Sequence, residues 1–505
     1  MVGVWGTFDV ENYGDHLFPR IAIHELQRRI EGVEVRPFSP LGWLHPTRMD
    51  GGEPAESLGA WSESRLGELA AELHCVLIGG GEIIHTRDEL LAPAYGATPQ
   101  ELRELSPSGY FIEGLGPELE RRCPVLWHAV GVPFDPTTDE ASRLRAALAS
   151  RPYVTVRDEL SRTRLVRAGV DTEVTVVPDS ALLVSRLLAE PLLRKRRDYL
   201  RAMGWYPADG TPMVVQGNRD LLRFVPDLVA VCSRLLGQHS ELRLVLASTG
   251  VCHGDDELAA ELFTAMAAAW PARVFRLPAE AGVEDLVAAI SGARAFVGSS
   301  LHGSISALAF GRSFVTLNLT GQSKLDGFAH LVEADDLVVR HPDDIHDACT
   351  GALKAPPDRA LVTRLQRRVD DHFDRMAEII ERSTTPRHAR AGPETDGEGR
   401  PYRVGQLESD LRAARSAHRA LARRVRGERL RLADHVQELR DAHAATSARL
   451  DAAEAALEAH RQRADHAERQ AAELDAELAR LRATKTFRYL DAPRRVYGRL
   501  LRRLR

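Results

Sequence analysis

Between residues 299 and 310 the sequence reads "SSLHGSISALAF", and His302 is the one imidazole in a run that is otherwise apolar, small or hydroxylated. An imidazole titrates near pH 6.5 and suits proton transfer. A lone histidine beside apolar residues is more often a satisfied core group, so His302 needs partners before it can be given chemistry. Ser299, Ser300 and Gly303 surround it with a polar, glycine-permitted corner where an apolar strand, "RAFVG", gives way to a helical period.

Four other stretches supply candidate partners. "NYGDHL" places Asn12, Gly14 and Asp15 at the entry to a helix, where glycine permits close backbone approach and Asp15 can cap free N–H groups. A simple turn and cap is the ordinary reading of that stretch alone. "CVLIGGGEIIH" sets Gly79, Gly80 and Gly81 directly after a buried strand, ahead of Glu82 and His85. Three glycines there open space for an anion or a sugar. They match neither GxGxxG nor a P-loop, and no Lys-Ser/Thr follows, which argues against nucleoside triphosphate hydrolysis. "YVTVRDELS" brings Arg157 to a strand end, where its planar fork can clamp a phosphate or carboxylate. In "VVPDSALL", Asp179 is either a helix cap or a cleft carboxylate. The reading makes His302, Arg157 and Asp15 the catalytic candidates, and Asn12, Gly14, Gly79, Gly80, Gly81, Asp179, Ser299, Ser300 and Gly303 the substrate-binding ones.

All of these lie at strand ends of one repeating pattern. Up to about residue 185 the apolar runs "VGVW", "CVLIGG", "VLWHAVG", "YVTVRD" and "EVTVVPD" alternate with helical stretches such as 14–30 and 158–168. Continuous apolar runs of this kind read as parallel strands covered on both faces. The pattern restarts with "PMVVQG", "LRLVLAS", "RVFRLP", "RAFVGS" and "SFVTLN", separated by helices near 221–237, 255–269, 282–291 and 302–310. Two doubly wound α/β domains are expected, 1–188 and 189–383, the second with a closing helix near 357–382. Ligands of such sheets bind at the carboxyl ends of the strands.

A chain of 505 residues calls for more than one core. A net charge of -5 gives no reason to expect a nucleic-acid partner. Five cysteines without CxxC spacing suggest neither disulfides nor zinc, and no metal cluster is expected. The first residues lack a signal-peptide pattern and no apolar run has spanning length, so a cytoplasmic location is expected.

Residues 384–403 read as a flexible linker. Beyond it, 404–483 is free of proline, and positions 450, 453, 457, 460, 464, 467, 471, 474, 478 and 481 follow a heptad seam of Leu, Ala and His, which predicts a coiled coil able to self-associate. The tail 484–505 carries eight Lys or Arg against one Asp, interleaved with aromatic and aliphatic residues. That pattern suits peripheral contact with the anionic inner face of the plasma membrane, although Pro493 is expected to interrupt its helix.

Taken in order, "NYGD", "GGG", "VRDELS", "PDSAL" and "SSLHGSISALAFGRSF" resemble the polysaccharide pyruvyl transferase family, over roughly residues 1–330. The resemblance implies two Rossmann-like domains in a glycosyltransferase-B-like arrangement. It also implies transfer of the pyruvyl group of phosphoenolpyruvate to two hydroxyls of a sugar in a cell-surface polysaccharide or its lipid-linked precursor, with no further cofactor. Arg157 would then hold the donor anion and His302 would be the acid-base or donor-binding residue. Many members of the family carry an arginine two residues before that histidine; this chain has Ser300, which leaves the charge to Arg294 or Arg312. Two other readings compete. A nucleotide-sugar glycosyltransferase would need a ribose-gripping carboxylate such as Glu333 or Asp335, and a coiled-coil scaffold would need no chemistry from a degenerate sugar-binding domain.

Overall fold

The computed structural model describes residues 1–42, 55–279, 281–384, 462, 466, 468–483, 493–499 and 502. The chain divides into two compact units, Met1–Val425 and Arg426–Arg505. The first unit contains two parallel sheets.

One sheet consists of β1 (Val2–Trp5), β2 (Val35–Ser39), β3 (Glu56–Ser57), β4 (Cys75–Gly79), β5 (Val125–Val130), β6 (Val154–Val156) and β7 (Val174–Val176), in the order β3-β2-β1-β4-β5-β6-β7. The other consists of β8 (Thr211–Val215), β9 (Leu242–Leu246), β10 (Val274–Arg276), β11 (Ala295–Gly298), β12 (Ser313–Leu317) and β13 (Val338–Val339), in the order β10-β9-β8-β11-β12-β13. Every pairing is parallel, and β1, β4 and β5 are buried along their whole length, as their unbroken apolar runs require. Both are Rossmann-like, doubly wound sheets.

In each sheet the winding reverses once, between β1 and β4 and between β8 and β11. There the connections leave to opposite faces and a crevice opens at the strands' carboxyl ends. Three strands were not read from the sequence: β2 contains Pro37, and β3 and β13 are two residues each, too short to carry a period.

The closing helix runs Arg359–Thr384 and buries Leu365, Val369, Phe373, Met376 and Ile380, at helical spacing. It packs back on the first domain. Arg29 reaches Asp370 at 3.0 Å and Asp374 at 2.6 Å, and the Gln366 amide donates to the Leu182 carbonyl at 2.9 Å. Inside this contact His372 bonds His128 of β5 at 2.6 Å and the Tyr153 hydroxyl at 2.9 Å. Burial lowers both imidazoles, His128 to about 4, so the pair is neutral.

The domains are also stitched at the cleft. The Tyr13 amide donates to the Thr249 carbonyl at 2.7 Å, and the buried Tyr13 hydroxyl bonds Ser306 Oγ at 2.8 Å. Helices Tyr13–Gln27, Val283–Gly292, Leu301–Ala309 and Arg359–Thr384 all contribute to one continuous apolar cluster.

In the second unit, residues 468–483 are helical and the seam positions Leu474, Leu478 and Leu481 are exposed. Seam positions 450–467, the earlier part of the expected coiled coil from 404 and the linker from 385 lie outside the described residues. Residues 493–499 form a helical segment; the tail residues before Pro493, on which the expected interruption bears, lie outside the described residues. Among the described residues no helix is long and apolar enough to cross a membrane.

Candidate active site

The two switch points face each other across a cleft of about 270 Å³. After β1 it receives Thr7, Val10, Asn12 and Asp15, and after β4 Gly81 and Glu82. Arg157 enters after β6; on the far wall stand Gln216 and Asn218 after β8, and Ser299, Ser300 and His302 after β11.

His302 belongs to the second domain, but its partners belong to the first. Its Nε2 lies 3.5 Å from Asp179 Oδ2. A Cβ at Gly14 would fall 1.8 Å from His302 Nδ1, so the ring lies directly on the Gly14 backbone. Asp179 caps the short turn Ser180–Leu183, accepting from the Ala181 amide at 2.9 Å. Burial would raise the Asp179 carboxyl, but His302, the Ala181 amide and Arg157 hold it down at about 2, so it is a fixed negative charge beside the imidazole.

Asp15 has the opposite character. It sits in the first turn of helix Tyr13–Gln27, whose cap is Asn12 accepting from the Gly14 amide at 2.9 Å. The expectation that Asp15 caps this helix is therefore corrected: Asn12 precedes the first helical residue and takes the role. Asp15 accepts from the Thr7 hydroxyl at 2.9 Å, and burial pushes its carboxyl up to about 6 against the pull of His302, Thr7 and Lys324. A carboxyl tuned to that range can take and give a proton near neutrality.

Arg157 is 5% exposed and lies flat on Gly131, whose Cβ would stand 3.0 Å from the guanidinium carbon. A bulge at the end of β5, with Ala129 at φ +49°, brings Gly131 there. Arg157 Nη2 lies 3.1 Å from Glu82 Oε1, and Nε lies 3.6 Å from Asp158 Oδ2. Neither contact has hydrogen-bond alignment, so both buried nitrogens lack an acceptor among the described residues. Buried donors of this kind are costly unless something accepts from them. Across the cleft, Lys324 Nζ stands 3.7 Å from Glu82 Oε2. Burial would raise Glu82, but Arg157 and Lys324 outweigh it and lower its pKa.

The remaining expected residues divide by role. Gly81 lines the cleft at φ +108°. Gly79 and Gly80 do not: a Cβ on Gly79 would strike Phe18 at 2.5 Å, and one on Gly80 would strike Phe8 at 2.8 Å. Gly303 fits the Phe296 ring, 2.2 Å from where a Cβ would stand, and donates to Ser300 Oγ at 3.1 Å. Ser300 thus caps helix Leu301–Ala309, and its own amide donates to Gln216 Oε1 at 2.9 Å. Ser299 lines the cleft beside it.

The expected replacement cations do not reach the site. Arg294 donates to the carbonyls of Leu353 and Lys354, and Arg312 to that of Ser291, because both precede their strands at the end away from the cleft. Lys324, on helix Ser323–Leu331 after β12, is the cation this wall supplies. Sequence reasoning missed it, along with His253, Asn218 and Asp255, none of which stands in a stretch marked out by its residue types. His85 packs on Phe134, outside the cleft. Glu333 pairs with Arg364 at the surface and Asp335 lies beside His330, so neither lines the cleft.

Two facing doubly wound sheets, with an arginine, an imidazole and a titratable carboxyl between them, define the class: a two-domain α/β protein with a charged interdomain cleft. The chain belongs to the polysaccharide pyruvyl transferase family, whose model matches residues 12–320, more than half of its length. No curated protein matches it. Among solved structures, it is similar to a UDP-GlcNAc 2-epimerase from Methanocaldococcus jannaschii, at 12% identity and TM-score 0.47 over 75% of this chain and 99% of that one. It is also similar to a UDP-GlcNAc 2-epimerase from Neisseria meningitidis bound to UDP-GlcNAc, at 12% identity and TM-score 0.44 over 76% and 98%. The E. coli ADP-heptose lps heptosyltransferase II matches at 13% identity and TM-score 0.36 over 70% and 98%.

Proposed function

We propose that the protein is a ketal-pyruvyl transferase, moving the pyruvyl group of phosphoenolpyruvate onto two hydroxyls of one sugar in a cell-surface polysaccharide or its precursor. The observation that carries this reading is Arg157: a buried guanidinium, short of acceptors, that faces the cleft holding His302 and Asp15. An enol phosphate bearing a carboxylate offers the acceptors that Arg157 lacks, and Lys324 adds a second cation from the other wall.

The chemistry balances on these residues. His302 delivers a proton to the methylene carbon, making it a methyl group and leaving C2 electron-poor. A sugar hydroxyl bonds to C2 and gives its proton to Asp15, the carboxyl poised near 6. Phosphate then leaves with the C2–O bonding pair, stabilised by Arg157 and Lys324. The second hydroxyl closes the ketal. Of the two hydroxyl protons, one replaces the proton spent on the methyl group and the other leaves with phosphate. Asp179, held near 2, is too weak a base to compete for them and serves to orient His302.

Calorimetry with phosphoenolpyruvate tests the reading. Wild type should bind, and Arg157→Ala should weaken binding roughly 10- to 100-fold, the scale of a lost charge-assisted hydrogen-bond pair. Binding of nucleoside diphosphates in preference to phosphoenolpyruvate would contradict it.

A further inference from the structure

In the second unit every residue from 468 to 483 is helical and exposed, and Leu474 and Leu478 are among the exposed large apolar side chains. Most helical stability in proteins comes from packing one apolar face, which leucines left in water forfeit. The spacing shows how narrow that face is. With Ala471 and Leu478 at heptad positions a, and Leu474 and Leu481 at d, the flanking e positions hold Glu468, Asp475 and Arg482 and the flanking g positions hold Gln470 and Glu477. None of these flanking residues is apolar. An apolar stripe confined to a and d is the seam of a two-stranded coil, whereas a helix packed on a globular core carries a broader face.

We propose that this helix is a dimerisation surface and that its occupant is the same helix of a second copy of the chain, parallel and in register. The inference is independent of the transfer reaction.

Charge complementarity supports the choice of partner and register. In a parallel pair each g residue faces the e residue of the next heptad on the other strand, and such pairs set partner choice. In register, Glu477 of one copy meets Arg482 of the other, and the Gln470 amide can donate to Asp475. The sequence upstream follows the same rule: Arg463 precedes Glu468, and Arg449 precedes Glu454, at that same separation, on seam spacing that runs back to 450. Every charged g residue from 449 to 477 is thereby matched with an opposite charge. Slid by one heptad so that Glu477 falls opposite Asp475, the strands would also set Arg463 against Arg461, so like charges oppose that register twice over.

Sedimentation of the full-length protein tests the proposal. Wild type should sediment as a dimer at micromolar concentration, and Leu474→Asp as a monomer. Glu477→Lys should raise the dimer dissociation constant about tenfold, because two attractive pairs become repulsive, and adding Arg482→Glu to it should restore the wild-type value. Disulfide formation reads the orientation. Under mild oxidation Leu474→Cys and Leu478→Cys should each link to the same position of a second copy, which only a parallel, in-register pair permits at both. Four of the five native cysteines are buried, so wild type serves as the reference without such a link. A wild type that is monomeric or trimeric, a dimer indifferent to Leu474→Asp, no rescue by the paired charge reversal, or linkage at only one of the two positions would overturn the assignment.

Discussion

Asp15 and Asp179 both feel the charge of His302, yet one titrates near 6 and the other near 2. The difference lies in what else donates to each: Asp15 has the Thr7 hydroxyl, whereas Asp179 has the imidazole, a backbone amide and the field of Arg157. One carboxyl can therefore exchange protons at physiological pH and the other cannot. Because Asp15 is a base only when ionised, kcat/KM should rise with pH through about 6, and Asp15→Asn should lower the plateau and remove that limb. A pH–rate profile checks this. Glu82 holds the place of an anion between Arg157 and Lys324, so Glu82→Gln should tighten phosphoenolpyruvate binding, by about tenfold, since a competing carboxylate is removed. Titration calorimetry of the variant would show weaker binding if Glu82 instead orients Arg157. At this scale much was legible: Arg157, Asp15, His302 and Asp179 all follow from residue type at strand ends. Lys324 was not, because nothing local in "QSKLD" distinguishes a cleft lysine from a surface one; only the crossover after β12 turns it inward.

Elements decide which glycines serve the site and which serve packing. Gly14 lies at the start of helix Tyr13–Gln27, where the His302 ring rests on its backbone, while Gly303 lets helix Leu301–Ala309 approach Phe296 of β11. Gly14→Ala should displace the imidazole and cut kcat at least tenfold with a smaller effect on phosphoenolpyruvate KM. Gly303→Ala should cost stability by overpacking, about 1–3 kcal/mol, and so lower the melting temperature. Steady-state kinetics and thermal melts on the two variants would distinguish these effects. From sequence, a glycine beside a histidine motif and a glycine beneath a phenylalanine look alike, and the run Gly79–Gly81 was read as one anion-opening loop when two of its members fit around Phe18 and Phe8. Strand order was out of reach for a related reason: β2, β3 and β13 are too short or too proline-bearing to announce themselves, yet β2 on β1 and β3 on β2 set where the winding reverses.

At the scale of the whole molecule, the site exists because two switch points are brought face to face and held there. Tyr13 bonds both Thr249 and Ser306, Asn12 bridges to Gly250 and His253, and the helices behind them share one core. Neither domain holds a complete set of groups: the imidazole comes from one, and its aspartates and the arginine from the other. The βα repeat made this tandem arrangement readable, since parallel buried strands leave a distinctive apolar pattern. A closing helix near 357–382 was readable, but the particular contacts of Arg359–Thr384 with the first domain were not, because they depend on long-range partners such as His128 and Asp370 with His372 and Arg29. The central claim is that this interdomain cleft binds phosphoenolpyruvate through Arg157, and calorimetric titration of wild type and Arg157→Ala tests it most directly. The account predicts binding by wild type that falls roughly 10- to 100-fold in the variant; equal affinity in the two proteins, or no binding by wild type, would contradict it.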